Sequence, residues 1–317
     1  MLKYDDIYVF SIGDDMVLAG IFQILHTPFT DSGDIDWASY ENQITYCLAA
    51  GVHGLVTPVL ASEFFTLSDA ERYAVVEFAS KHIAGRVPLV VGVQGLTLQI
   101  AREFAHHAVV NKADALMAMP PYLRKAPKSD VEHYYHELAT FGLPVIIQNA
   151  PAPVGTPLSP ADLANLLKIE PNICYIKEET PPILQRINNI IDLSSDHCDG
   201  IFGGANGLYL VDELQRGACG NMPAGGVVDV QVKIYELYQE GKITEAEAIN
   251  YQLLPLLTYA SMYGVAFHKY VLWRRGVLQS PFARDPQKAT LNEDDIKAIE
   301  HLWSRIKDYT VIDYPFQ

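Results

Sequence analysis

Eight short apolar segments recur along this chain, and a segment with helical periodicity follows each of them. Successive segments begin about 20 to 35 residues apart, which is the length of one strand and one helix. Nearly every position within a segment is apolar, as in parallel strands that are covered on both faces. Eight such units predict an α/β fold, the (β/α)8 TIM barrel. The predicted strands are Gly20–Leu25, Gly54–Pro58, Leu89–Val93, Ala115–Ala118, Val145–Gln148, Ile173–Lys177, Gly200–Gly203 and Ala218–Met222.

An open, doubly wound sheet is the main alternative to the barrel. That fold often carries a Gly-rich phosphate-binding turn after its first strand, and no such turn follows Gly20–Leu25. We therefore expect an N-terminal extension at 1–18, the barrel core at 19–226, and a C-terminal helical region at 227–317 that completes and flanks the barrel. Additional C-terminal helices are predicted at Gln231–Glu240, Thr244–Tyr263 and Asn292–Asp308.

The charge of the chain argues against two classes of partner. The 317 residues carry a formal net charge of −15, and lysine and arginine are scattered instead of clustered. Proteins that bind nucleic acid or an anionic membrane surface usually present a basic patch. We therefore expect no nucleic-acid partner and no membrane partner. No apolar run is long enough to span a bilayer, and residues 1–15 lack the pattern of a signal or transit peptide.

Cysteine and histidine spacing bears on redox setting and on metal binding. The cysteines are far apart and form no CxxC pair: Cys47, Cys174, Cys198 and Cys219. Such cysteines behave as small apolar residues, which predicts a reduced, cytoplasmic setting. His133 and His136 are three residues apart but lack a third ligand with matching spacing. We expect no metal and no cofactor.

Lys177 is the residue that points to a chemistry. It follows the apolar run Ile173–Ile176, so it stands at the end of a predicted buried strand. Desolvation inside a closed barrel disfavours the ammonium form of a lysine, and the neutral amine is a nucleophile that forms a Schiff base with a ketone. The alternative is a strand-end lysine that reaches out to solvent.

Several motifs at predicted strand ends, taken together, resemble the dihydrodipicolinate synthase / N-acetylneuraminate lyase family of class I aldolases and lyases. The resemblance covers roughly residues 18 to 305. It implies a TIM barrel, a Schiff base at Lys177, a small 2-oxo acid substrate, and assembly as a homodimer or homotetramer. The matching motifs are Thr27-Pro28-Phe29, Ser62-Glu63, Pro120-Pro121-Tyr122 and Tyr175-Ile176-Lys177-Glu178.

Two departures from the family pattern change the expected chemistry. The family's Gly-Thr-Thr-Gly-Glu loop reads Val59-Leu60-Ala61-Ser62-Glu63 here, so the N–H groups of Ala61 and Ser62 and the Ser62 hydroxyl are expected to hold the substrate carboxylate. Gln148 stands where the family has its catalytic tyrosine. Glutamine has no proton to exchange and can only orient a substrate or a water. Dihydrodipicolinate synthase chemistry and ordinary neuraminate lyase chemistry are therefore disfavoured.

A narrower likeness is to the 2-keto-3-deoxy sugar-acid dehydratases, with L-2-keto-3-deoxyarabonate dehydratase as the nearest pattern, in which glutamine also replaces the tyrosine. This likeness implies dehydration of L-2-keto-3-deoxyarabonate to 2-oxoglutarate semialdehyde by a lysine Schiff base. One alternative is an aldolase that releases pyruvate from a related 2-keto-3-deoxy sugar acid. Another is a non-catalytic barrel that binds a 2-oxo acid.

The resemblance and the barrel positions together predict the site residues. Tyr122 is expected to join a proton relay, as in relatives. Glu178 should point away from the lysine by strand alternation and form a structural salt bridge, whereas Glu179 returns to the lysine side. The predicted catalytic residues are Lys177, Gln148 and Tyr122, and the predicted substrate-binding residues are Ala61, Ser62, Glu63, His26, Gly204, Asn206 and Met222.

Overall fold

The predicted TIM barrel is confirmed. The computed structural model describes residues 17–286 and 289–310, so most of the predicted N-terminal extension lies outside the described residues. Eight parallel strands pair in sequence order and close by pairing of the first strand with the eighth. The strands are β1 (Gly20–Ile24), β2 (Gly54–Thr57), β3 (Leu89–Gly92), β4 (Ala115–Ala118), β5 (Val145–Asn149), β6 (Ile173–Glu178), β7 (Gly200–Gly203) and β8 (Gly220–Asn221).

The eighth strand is shorter than its predicted range of Ala218–Met222. Only its two residues pair with the neighbouring strands, and Gly220 lies opposite Gly20 of β1. A Cβ atom on Gly220 would lie 1.9 Å from the carbonyl oxygen of Gly20, so a glycine is required where the barrel closes. The close approach of the two backbones determines the extent of this strand. The pattern of apolar residues in the sequence gives no sign of that approach.

Eleven α-helices occur in the described residues. A capping box between Ser68 and Glu71 opens the second helix, and Ser159 caps the fifth, which begins at Pro160. The helices are α1 (Trp37–Ala49), α2 (Asp69–Ile83), α3 (Leu98–Val110), α4 (Lys128–Ala139), α5 (Pro160–Leu167), α6 (Ile183–Ser194), α7 (Leu210–Gln215), α8 (Val228–Gln239), α9 (Ile243–Tyr263), α10 (Val265–Arg274) and α11 (Glu293–Trp303).

The C-terminal helices differ in part from the prediction. Helix α8 packs against β1 and so belongs to the outer ring of the barrel. Helix α10 was not predicted; it begins after Gly264, whose φ of 51° breaks the path of α9. Its buried polar residues His268 and Lys269 interrupt the apolar pattern that reveals a helix in sequence. The last helix ends at Trp303, and a 3₁₀ turn at Lys307–Tyr309 follows it.

The barrel interior is filled by side chains from the strands. Phe22 and Phe202 meet edge to face with their ring centroids 5.1 Å apart, and the Tyr175 hydroxyl accepts a hydrogen bond of 3.0 Å from the Leu18 N–H. Because the interior is packed, a ligand can enter only at the carboxyl ends of the strands. In the described part of the chain, every helix is too short or too polar to cross a lipid bilayer.

A fully buried ion pair joins α10 to α8. Nη1 of Arg275 lies 3.0 Å from Oδ1 of Asp229, and Nη2 lies 2.8 Å from Oδ2. Arg275 also donates to the Tyr46 hydroxyl and to the Gly226 carbonyl. Both charged side chains are completely shielded from solvent. The pair therefore fixes the C-terminal helices against the barrel.

Replacing Arg275 with leucine is expected to lower the free energy of unfolding by about 3–5 kcal/mol, because Asp229 would remain buried without its partner. Urea unfolding followed by circular dichroism measures the change. Lys128→Ala breaks the exposed ion pair with Asp162 and serves as the control, with almost no change expected. Equal losses in the two variants would contradict the prediction.

Candidate active site

A small pocket opens at the carboxyl ends of the strands. Its volume is about 100 Å³, and polar and apolar groups form its wall in nearly equal shares. A wider surface groove of about 530 Å³ lies on the outer helices, beside Tyr73 and His107, away from the strand ends. Residues from four loops and three strands line the smaller pocket: Ile24, Val59, Leu60, Ala61, Gln148, Lys177, Glu179, Ala205, Asn206, Met222 and Ala224.

Lys177 and Glu179 form an ion pair inside this pocket. The lysine side chain is 2% exposed, and its Nζ lies 3.2 Å from Oε1 of Glu179. Glu179 directly follows β6, and its side chain returns to the side of Lys177 because side chains alternate along an extended chain. The structure thus places a carboxylate within reach of the predicted Schiff-base nitrogen.

Glu178, between them, points away from the pocket, as strand alternation predicted. Its carboxylate lies 3.1 Å from Nη2 of Arg186 and accepts a hydrogen bond of 2.9 Å from Nδ2 of Asn149. Burial raises the pKa of the Glu178 carboxyl, and the hydrogen bonds from Arg186 and Asn149 oppose that shift. Glu178 therefore fixes β6 to its surroundings, and the predicted structural salt bridge is confirmed.

Gln148 is held by the same carboxylate. Its Nε2 donates a hydrogen bond of 2.9 Å to Oε2 of Glu179, which leaves its Oε1 as an acceptor. Among the described residues, this buried Oε1 has no hydrogen-bond partner. An amide oxygen in that position can accept a hydrogen bond from a substrate hydroxyl or from water.

The loop after β7 contributes two lining residues and one residue that makes room. Ala205 and Asn206 line the pocket, and the Asn206 carbonyl accepts a hydrogen bond of 2.7 Å from Nε2 of Gln231. Gly204, a predicted substrate-binding residue, lies behind Glu179. A Cβ atom on Gly204 would stand 2.5 Å from Oε1 of Glu179, so this glycine makes space for the carboxylate.

The predicted carboxylate-binding role of Ser62 differs from what the geometry allows. The Ser62 hydroxyl donates to the Leu25 carbonyl at 2.6 Å, and the Ser62 N–H donates to the Val59 carbonyl at 2.9 Å. Both donors are therefore committed to backbone acceptors. Of the residues predicted in this loop, only Ala61 lines the pocket.

Glu63 also lies outside the pocket, which corrects its predicted role in substrate binding. Its Oε1 lies 2.5 Å from Nζ of Lys269, and its Oε2 accepts a hydrogen bond of 2.7 Å from the Asp285 N–H. A left-handed backbone at Glu63, with φ of 57°, ends the 3₁₀ turn Leu60–Ser62. The carboxylate therefore anchors the C-terminal segment to the loop after β2.

His26 stands behind the pocket wall, and this too differs from the prediction. Its Nδ1 lies 2.7 Å from the carbonyl oxygen of Ala61, and its ring stacks on His268 with 5.2 Å between centroids. Burial, with a smaller contribution from His268 and Lys269, holds the pKa of His26 well below its usual range. Burial likewise lowers the pKa of His268 to about 3.

Tyr122, predicted as catalytic, does not line the pocket of its own chain. Its half-buried ring meets Phe64 edge to face, with 6.0 Å between the ring centroids. Burial raises the pKa of the Tyr122 phenol above its ordinary value. Met222, in contrast, is buried and lines the pocket. The predicted Asn206 lines the pocket as well.

Comparison with known proteins supports the sequence resemblance. Residues 17–304 match the family model of the dihydrodipicolinate synthetase family. The chain belongs to this family. Its members include lyases, aldolases and dehydratases, and the chain is therefore a lyase of this family.

Individual relatives differ in the activity that their names state. The chain is 31% identical over 272 residues to the L-2-keto-3-deoxyarabonate dehydratase of Azospirillum brasilense, a match that covers 84% of this chain and 88% of that protein. It is 30% identical over 241 residues to the 4-hydroxy-tetrahydrodipicolinate synthase of Methanospirillum hungatei, over 75% of this chain and 82% of that protein. The crystal structure of the Rhodopseudomonas palustris dihydrodipicolinate synthase matches with a TM-score of 0.83 and 26% identity, over 91% of this chain and 97% of that one.

One buried acid near the pocket was not anticipated from the sequence. Glu213 on α7 accepts a hydrogen bond of 2.7 Å from Nδ2 of Asn221, and its carboxyl lies against Gly203. Burial raises the pKa of Glu213 to about 8, and the charge of Glu179 contributes further in the same direction. No motif surrounds Glu213, so only its place in an apolar helix face could have indicated that it is buried.

Glu213 makes the stability of the fold depend on pH. An unfolded glutamate releases its proton near pH 4.5, whereas folded Glu213 holds its proton to about pH 8. The folded chain binds the extra proton within this window, so its stability falls as the pH rises from about 4.5 to 8.

Glu213→Gln cannot ionise and escapes this loss. We expect its free energy of unfolding, relative to the parent, to rise by on the order of 3 kcal/mol between pH 5 and pH 8. Urea unfolding at the two pH values measures the difference. Glu41→Gln, at an exposed position, is the control with no pH-dependent gain. A difference between Glu213→Gln and the parent that stays the same at both pH values would refute the prediction.

Proposed function

We propose that this protein is a Schiff-base-forming hydro-lyase that acts on a 2-keto-3-deoxy sugar acid. The substrate proposed is L-2-keto-3-deoxyarabonate, and the product is 2-oxoglutarate semialdehyde. The observation that carries the proposal is the contact of 3.2 Å between the buried Lys177 and the partly buried Glu179, with Gln148 bound to the same carboxylate. The likeness to the Azospirillum brasilense dehydratase supports the choice of substrate.

The first step forms an iminium at Lys177. Lys177 passes a proton to Glu179, the resulting neutral amine attacks the C2 ketone, and the ketone oxygen leaves as water with the protons that Glu179 delivers from the nitrogen. Lys177 and Glu179 are the ionisable side chains among the lining residues. Proton transfer to the departing oxygen is therefore assigned to Glu179, which lies at hydrogen-bonding distance from the nitrogen.

The second step removes the C4 hydroxyl. The iminium withdraws electrons and acidifies C3, so Glu179 takes a C3 proton and an enamine forms. The enamine electron pair then expels the C4 hydroxyl, which leaves as water with the proton that Glu179 returns. Loss of a C5 proton, tautomerisation and hydrolysis of the iminium release the semialdehyde and Lys177.

The position of Gln148 favours dehydration over cleavage of the C3–C4 bond. Cleavage requires a base that removes the proton of the C4 hydroxyl, and the family's tyrosine usually has that role. Gln148 cannot accept that proton, but its free Oε1 can orient the hydroxyl by accepting a hydrogen bond. An aldolase that releases pyruvate would need Glu179 to act on the C4 oxygen instead.

The loop after β2 is proposed to bind the substrate carboxylate through its backbone. The carbonyls of Leu60 and Ala61 face other partners, the Glu63 N–H at 2.9 Å and the His26 ring at 2.7 Å. The Ser62 carbonyl accepts from the Thr27 hydroxyl at 2.7 Å. The N–H groups of Leu60 and Ala61 open the 3₁₀ turn and have no acceptor within it. Because both residues line the pocket, these two groups are the proposed carboxylate donors.

The charges of the pocket support a substrate with one carboxylate. Lys177 is the cation and Glu179 the anion among the lining residues. Nearby arginines are committed elsewhere: Arg186 to Glu178, and Arg72 to the carbonyls of Gly92 and Gln94. A second acidic group, as in a condensation of two carboxylate-bearing molecules, would meet Glu179 without a counter-charge. A neutral, hydroxylated tail fits this arrangement better.

Oligomerisation gives Tyr122 its proposed role. The family resemblance implies a homodimer or homotetramer in which this tyrosine takes part in proton transfer across a subunit contact. Its half-buried ring lies beside Phe64 and outside the pocket of its own chain. From this position a side chain can reach a neighbouring subunit. The size of the assembly is part of the same proposal, and light scattering of the purified protein would measure it.

Incubation with L-2-keto-3-deoxyarabonate and borohydride is expected to add the mass of a reduced adduct to the protein. The Lys177→Ala variant should gain no mass, because the nucleophile is absent. Intact-mass spectrometry measures the adduct, and chromatography identifies the products formed without borohydride.

The products decide between the two lyase reactions. 2-Oxoglutarate semialdehyde supports the dehydratase, whereas pyruvate with glycolaldehyde would show an aldolase. If neither this sugar acid nor pyruvate is trapped on the protein, the Schiff-base mechanism is rejected and the non-catalytic binding barrel remains.

Glu179→Gln is expected to lower kcat by about 10²–10⁴-fold, because the amide cannot carry the proton from C3 to the leaving hydroxyl, while an adduct still forms but more slowly than in the parent. Steady-state kinetics and intact mass measure the two effects. The matched control is the adjacent Glu178→Gln, which should lower stability through Arg186 but leave kcat close to that of the parent. Similar values of kcat in the two variants would exclude Glu179 from proton transfer.

A further inference from the structure

A histidine behind the pocket wall contacts the backbone that lines the pocket. His26 lies at the end of β1, and its Nδ1 is 2.7 Å from the carbonyl oxygen of Ala61. Ala61 lines the pocket, whereas His26 does not. We propose that His26 is a positioning residue that holds the Ala61 carbonyl away from the substrate carboxylate. The inference rests on the proposed function, in which the neighbouring N–H groups bind that carboxylate.

The hydrogen bond fixes the tautomer of the ring. A carbonyl oxygen only accepts, so Nδ1 of His26 must carry the proton that it donates. Nε2 of His26 is buried and, within the described residues, has no hydrogen-bond partner. A proton on Nε2 would therefore create a buried charge with no acceptor. The neutral ring with hydrogen on Nδ1 is the form that the site accommodates.

Three further contacts hold His26 in place, two at its backbone and one at its ring. The His26 N–H donates to Oε1 of Gln43 at 2.7 Å, and Nε2 of Gln43 donates to the His26 carbonyl at 3.2 Å. The imidazole stacks on His268 of α10 at an interplanar angle of 28°. His268 in turn lies against Gly225, where a Cβ atom would meet Nδ1 of His268 at 2.2 Å. Both the backbone and the ring of His26 are thus held, so its donor has a fixed direction.

The direction of the Ala61 carbonyl matters because its oxygen carries partial negative charge. An oxygen that turned into a pocket of about 100 Å³ would face the substrate carboxylate and repel it. Because the His26 donor is already fixed before the substrate binds, it prevents that rotation, and the site need not rearrange on binding. The effect of His26 should therefore depend on whether the ligand has a carboxylate, which a purely structural role would not.

Two ketones separate these possibilities, both trapped at Lys177 with borohydride. Pyruvate has the carboxylate and hydroxyacetone lacks it. His26→Phe keeps an aromatic ring for stacking but loses the donor. We expect it to raise the half-saturating pyruvate concentration about 10-fold and to leave that for hydroxyacetone unchanged. With the sugar acid, KM should rise by the same factor while kcat stays within a few-fold of the parent value.

His26→Asn supplies the matched rescue, because its Nδ2 stands at the same distance along the side chain as Nδ1 of histidine. It keeps a donor and loses the ring, and we expect it to restore pyruvate trapping to near the parent value. His26→Gln places its donor one bond further away and should not restore trapping. If His26→Phe fails to fold, the comparison between the asparagine and glutamine variants still decides the question.

Three results would overturn the inference. The first is an equal loss for both ketones in His26→Phe, and the second is a loss in His26→Asn as large as that in His26→Phe. Either result would show that His26 acts only through its packing and not through its hydrogen bond to Ala61. The third is unchanged pyruvate trapping in His26→Phe. If the parent protein traps neither ketone and does not trap the sugar acid, the proposed function itself fails, an outcome that is distinct from these three.

Discussion

The ion pair between Lys177 and Glu179 is the interaction on which the rest of the site depends. Both groups lie inside a closed barrel, where the loss of hydration makes any uncompensated charge costly. The surroundings compensate in two ways: Gln148 donates to the second carboxylate oxygen, and Gly204 leaves the space that the carboxylate occupies. A substitution at Gln148 or Gly204 would therefore disturb this ion pair more than it would disturb the fold.

Strand alternation divides two neighbouring carboxylates between two tasks. Glu178 points outward and binds Arg186 and Asn149, so it fixes the end of β6. Glu179 points inward and reaches the nitrogen of Lys177. The end of β6 and the residue after it therefore supply a structural anchor and, in the proposed function, a nucleophile and a proton carrier, all within three residues. The division requires β6 to stay regular through Glu178, and the pairing of that residue with Asn149 of β5 keeps it so.

The barrel and most strand positions were predictable from eight apolar runs with helical segments between them. The inward side chains of β5 and β6 were predictable from the alternation of side chains along a strand and from the rule that active sites lie at the carboxyl ends of barrel strands. The loops were less predictable. Glu63 adopts a left-handed backbone and pairs with Lys269, a residue far along the chain, so local sequence does not report where its carboxylate points. Helix α10 was missed for a related reason, since its buried polar residues are satisfied only by tertiary contacts.

Helix α10 therefore belongs to the site as much as to the scaffold. Its consecutive residues His268 and Lys269 reach the rear of the pocket wall, one against His26 and the other against Glu63. Both contacts bear on the short turn Leu60–Ser62, one through the Ala61 carbonyl and one at the residue that ends the turn. The turn has no threonine side chains, so in the proposed function the direction of its backbone alone provides the donors for the substrate carboxylate. Precise support from a helix outside the barrel is the physical consequence of that loss.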